Sequence, residues 1–147
     1  MYRFIFLLSL AGLLLAAPTF SAQEEKQKEV QFSARGPLKQ RVPNGVARSV
    51  EDLDKLKVSL DTVKEALKVK DINFDKQMLV MVEGRQGGVG DTISIQKIEI
   101  DAAKKTMTVR WKFNRFQGIR IQIVVMVPGQ VALIDRFGGD VHFVAEK

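Results

Sequence analysis

There is no cysteine anywhere in the 147 residues. Disulfides, thiol nucleophiles and thiolate metal sites are therefore excluded, and the chain must be held by its own hydrophobic core. Histidine is nearly as scarce: His142 is alone. A metal centre gathers several ligands and a nucleophile needs a base beside it, and the sequence places no such partners near His142. A structural or surface role is expected for it. Carboxylate pairs are scattered (Asp52 and Asp54, Asp71 and Asp75, Glu99 and Asp101). A phosphate loop, Gly-x-x-x-x-Gly-Lys-Ser/Thr opening a helix, is missing. So are sequence repeats and low-complexity blocks. No enzyme, no cofactor and no metal is expected.

The first apolar run sits at the front. Arg3 precedes an apolar segment over residues 4–17, and small residues follow up to Ala22. This is the pattern of a secretory signal peptide over 1–22, cleaved after Ser21 or Ala22. The alternative is an uncleaved N-terminal anchor. A secreted or periplasmic protein is expected, with no stable membrane span after cleavage. Removing Arg3 with the leader takes the net charge from +6 to +5, a hint of an acidic partner or a means of staying soluble.

Residues 23–45 are charged at first and then punctuated by Gly36-Pro37 and Pro43-Asn44-Gly45. They read as a flexible arm or linker, although Val30 and Phe32 can begin an edge strand. The single domain is expected over 46–147. Ser49 and Asp52 open a short helix with Val50, Leu53 and Leu56 along it, and a second helix begins at Asp61 with Val63, Ala66 and Leu67 on one face. Residues 78–82 are apolar on both faces, as in a central strand covered from both sides. Ile93 and Ile95 occupy odd positions while Ile98 and Ile100 occupy even ones, a phase slip that predicts a β-bulge at Gln96-Lys97. In the strand from Thr106, Met107, Val109, Trp111 and Phe113 face in and Thr108, Arg110 and Lys112 face out. Ile119, Ile121, Ile123, Val125 and Val127 predict another long strand, Pro128-Gly129 a tight turn, and residues 131–137 and 141–144 two more strands. The fold class is α+β: short N-terminal helices on a mostly antiparallel meander of five to six strands. A small, partly closed barrel is the competing arrangement.

Between the central strand and the next lies Gly84-Arg85-Gln86-Gly87-Gly88-Val89-Gly90-Asp91, with four glycines in seven positions. It reads as loop, either a plain hairpin connection or a recognition loop carried on a rigid scaffold. Arg110, Lys112, Arg115 and Arg120 form a candidate basic outer face. Trp111 and Phe113 point inward on the same strand, which argues against a stacking groove for nucleic acid.

Residues 69–144 resemble the C-terminal domain of the bacterial protease complex subunit PrcB family. The likeness lies in a helical lead-in, then Asp71-Ile72-Asn73-Phe74-Asp75-Lys76, then the apolar strand and the glycine segment. The family's loop tends to read Gly-Gln-x-Pro-Thr-Gly-Gly-Tyr. Gly84 and Gly90 match it, while Gly88 and Asp91 stand where the family has Thr and Tyr. The resemblance implies an exported accessory domain that binds or stabilises a protease and carries no catalytic residues. The expected function is thus a non-enzymatic protein-interaction module that meets its partner through residues 84–91. The alternative is an inhibitor that presents the same loop to a protease cleft.

Overall fold

The computed structural model describes residues 27–118 and 123–147. The expected leader, along with Ile119, Arg120 and Ile121, lies outside the described residues. Among the described residues the fold is mostly β, its strand pairs mostly antiparallel and none of its sheets closed into a barrel. In chain order the elements are β1 (Lys28–Glu29), β2 (Ala34–Leu38), β3 (Gly45–Ala47), α1 (Val50–Lys55), α2 (Leu60–Leu67), β4 (Gln77–Val82), β5 (Arg85–Gly88), β6 (Thr92–Asp101), β7 (Thr106–Asn114), β8 (Val124–Val127), β9 (Gly129–Asp135) and β10 (Asp140–Glu146).

Three layers result. One sheet has the order β2-β9-β4-β3, a second β1-β6-β7-β10, and β5 and β8 form a two-stranded ribbon. The first sheet lies in the middle. Leu79 and Met81 of β4 share a core with Leu53, Val63 and Leu67 of the helices. Met78, Val80 and Val82 share a second core with Ile95, Ile98, Met107 and Val109 of the other sheet. The strand that is apolar on both faces is central because each face has its own layer to cover it.

The helices start where the side chains can cap them. Ser49 Oγ accepts from the Asp52 N–H at 3.3 Å, and the Asp52 carboxylate reaches back to the Arg48 N–H at 3.0 Å. Ser59 does the same for α2 through the Thr62 N–H, and Lys68 in the left-handed region ends that helix. Val50 departs from the expected stripe and is exposed.

Several expectations are corrected. Residues 27–45 are no loose arm: β2 pairs with β9 along its length, and Leu38 and Val42 are fully buried. Gly36, which reads as a linker break, sits inside β2 directly beneath α2. A Cβ there would lie 1.8 Å from the Ala66 carbonyl oxygen. The strands are not a meander either. β10 runs parallel to β7, and β9 returns past the β6–β7 hairpin to pair with β4. Pro128-Gly129 is no hairpin turn but the joint at which the chain passes from β8 into β9. Strands number ten among the described residues, double the lower expectation, because the arm and the glycine segment contribute their own. The phase slip is where it was expected: the β6–β7 register shifts between Ile95 and Lys97. That slip keeps Ile95 and Ile98 buried in one core.

Candidate functional site

The glycine segment is a strand rather than a loop. Arg85–Gly88 pairs antiparallel with Val124–Val127, in the same register that joins β4 to β9. The two halves make one long ladder, broken where Gly84 faces Pro128. Proline has no N–H to donate, so the ladder must open there. The two backbones also approach closely at this joint. A Cβ on Gly84 would lie 2.7 Å from the Val127 carbonyl oxygen, and one on Gly129 would lie 2.2 Å from that of Val82. Both glycines therefore serve the kink that turns β5 and β8 away from the central sheet.

Beyond the kink each residue of the segment has a distinct place. Gly87 packs against Phe113 and Val127, with no room for a Cβ. Gly90 takes φ +90°, which favours glycine, with Phe116 against it. Asp91 accepts from the Gly88 and Phe116 N–H groups, both at 2.8 Å, and so ties the turn to the segment after β7. Val89 is exposed. The Arg85 guanidinium lies 4.6 Å from the centre of the Phe113 ring, a cation–π contact.

Gly84, Arg85 and Gln86 line a groove of about 500 Å³ together with Arg41, Asn44, Glu83 and Trp111. Asn44 Oδ1 accepts from the Glu83 N–H at 2.8 Å, and Arg41 pairs with the Glu83 carboxylate at 3.2 Å. The first holds the wall in place. The second is largely exposed and contributes little to stability. Trp111 faces the core side as expected but is only half-buried, since part of the indole lines the groove. Arg41 and Asn44 were invisible as site residues in the sequence. They lie in a stretch without periodicity, and only the pairing of β2 and β3 into the central sheet brings them to Glu83.

The candidate basic face is not uniform. Arg110 Nε donates to Glu99 at 2.8 Å, and Lys97 Nζ reaches the same carboxylate at 2.8 Å. Lys112 stands in register with Ser94 on one side and Glu146 on the other. Arg115 is exposed beyond the end of β7, and Arg120 lies outside the described residues. Asp101 is tied to the Lys104 backbone and ammonium. His142 is exposed on the edge strand β10. Among the described residues no polar or charged residue is buried, and no three His, Cys, Asp or Glu side chains gather in a metal-binding group.

The Glu99 carboxylate is held below its ordinary value of 4.5 by Lys97 first and Arg110 second. Asp52 is also lowered, chiefly by the Arg48 N–H. A lowered carboxylate stabilises the fold fully above its unfolded value, and the gain is lost as pH falls towards the folded one. Thermal stability should thus decline as pH drops below about 4.5. Glu99→Gln should show a shallower decline over the same window in melting experiments; an identical acid limb would mean that the Glu99 pairs contribute nothing.

No protein-family model, curated protein or solved structure matches this chain.

Proposed function

We propose that the protein is an exported, non-catalytic protein-interaction module that grips its partner in the groove beside the ribbon kink. The observation that carries this reading is the meeting of Arg85, Arg41 and Trp111 around one concavity. Arginine and tryptophan are the side chains that most often dominate binding energy at protein interfaces, and they do so from partly enclosed pockets. The groove is large enough for one or two side chains of an extended partner segment. The resemblance to the PrcB family supports a secreted protease as that partner, with this chain as its accessory or stabilising subunit.

The alternative, an inhibitor, fits the geometry less well. An inhibitory loop offers a free extended backbone to the protease cleft, whereas Arg85–Gly88 already spends one edge on β8. The test is capture of the partner from the native secretome, followed by titration of wild type and variants. Arg85→Ala should weaken partner binding about tenfold or more while leaving the melting temperature in place. Arg110→Ala, on the opposite face of its strand, should leave affinity unchanged. A folded Arg85→Ala variant with undiminished affinity removes the groove from the function. If the partner is a protease, preserved or raised activity in the complex supports the accessory role, and lowered activity supports the inhibitor.

A further inference from the structure

Beyond the groove, the far end of the ribbon carries a second surface. Five of the seven exposed large apolar side chains among the described residues are there: Val89, Phe116, Ile123, Val124 and Met126. Residues directly opposite in an antiparallel pair share a face, so the two faces of the ribbon can be told apart. Gly87 and Val127 belong to the inner face, which packs on Phe113. The outer face carries Val124 opposite Gly88 and Met126 opposite Gln86. Gly88 has no side chain to cover its neighbour, and Val124 is 73% exposed. An apolar concentration of this kind marks an interaction site.

Its charge setting selects the occupant. No Asp or Glu occurs from residue 102 to residue 134, so the strand and turn leading to Phe116 bring no acid of their own to this end. Arg115 is exposed immediately before Phe116. Asp91, the carboxylate at this end, accepts backbone N–H groups with both oxygens. A second copy of the chain would bring like charges together. An anionic bilayer instead offers hydrocarbon to the apolar side chains and phosphates to Arg115. We infer that the ribbon end docks on an anionic lipid surface, with Val124 and Met126 entering the interface and Arg115 meeting the headgroups.

The absence of native cysteine permits a direct test in the full chain. Val124→Cys carries an environment-sensitive fluorophore, and His142→Cys on β10 serves as the control position. With phosphatidylglycerol vesicles the label at 124 should brighten and shift to the blue, and the label at 142 should not. Vesicles of phosphatidylcholine alone should give a much weaker response, and high salt should reduce the anionic one. In unlabelled protein Arg115→Gln should lower the partition coefficient about fivefold, the weight of one basic side chain at an anionic surface, with no change in melting temperature. The inference is overturned by a silent label at 124 or by equal responses at 124 and 142. It is equally overturned by equal binding to neutral vesicles, or by a lipid-free response that grows with protein concentration, which would assign the face to a second copy.

Discussion

Replacing Gly36 with valine should cost more than about 3 kcal/mol, beyond the usual range for overpacking a core. The reason is a backbone contact and not a side-chain one. The first carbon added at position 36 would stand 1.8 Å from the Ala66 carbonyl oxygen and 2.8 Å from its carbon. Ala66 lies in the last turn of α2, which the Lys68 and Val69 N–H groups close onto the Glu65 and Lys64 carbonyls; its backbone cannot rotate away as a flexible side chain can, so α2 must withdraw by more than an ångström from β2. That withdrawal would uncover Val63 and Leu67, both buried in the core between the helices and the central sheet. Gly36→Ala should already show most of the loss. Gly138→Ala is the matched control, since nothing lies within 4 Å of its added carbon; it should change stability by less than about 0.5 kcal/mol. Urea titrations of the three variants decide the matter. Equal midpoints for Gly36→Ala and Gly138→Ala would mean that α2 does not rest on β2 as described.

Leu79→Ala should cost about 2–5 kcal/mol, and Ile98→Ala a similar amount. The two side chains are fully buried but belong to different cores, Leu79 on the helix side of the central sheet and Ile98 on the other side. Both variants should nevertheless unfold in one transition. The cores share β4 and β9, whose alternate residues face opposite ways: Leu79 and Leu133 one way, Val80 and Ala132 the other. Losing either core frees the strands on which the second is built, and small single domains behave as one cooperative unit. Calorimetry that resolved two transitions, with only one moved by each substitution, would show that the layers fold separately.

How much of this was legible beforehand depended on how local each signal is. The buried central strand, the β-bulge and the cap at Ser49 could all be read, because each depends on side-chain alternation or on hydrogen bonds spanning three or four residues. The glycine segment could not. Its composition excludes most side-chain packing and suggests a loop, yet Gly84 and Gly87 are small because other chain segments press on them, and β8 supplies the hydrogen bonds that make a strand. Gly36 misled in the same way, since a glycine under a helix and a glycine in a linker look alike until the helix is in place. The meander failed as an expectation because strand order is a choice among distant pairings. The β8–β9 strands skip the β6–β7 hairpin to continue a ladder begun some fifty residues earlier.

The candidate site divides along the same line. That the chain lacks thiol chemistry, has a single histidine and carries cations without acids from residue 102 to residue 134 is settled by the amino acids alone, since composition does not depend on folding. That Arg110 is occupied by Glu99 while Arg85 and Trp111 open on one groove was decided by tertiary structure. So was the exposure of Val124 and Met126 opposite residues too small or too polar to cover them. Charge and side-chain type travel with the sequence, but neutralisation and exposure are properties of neighbours, and here the neighbours come from strands far apart in the chain.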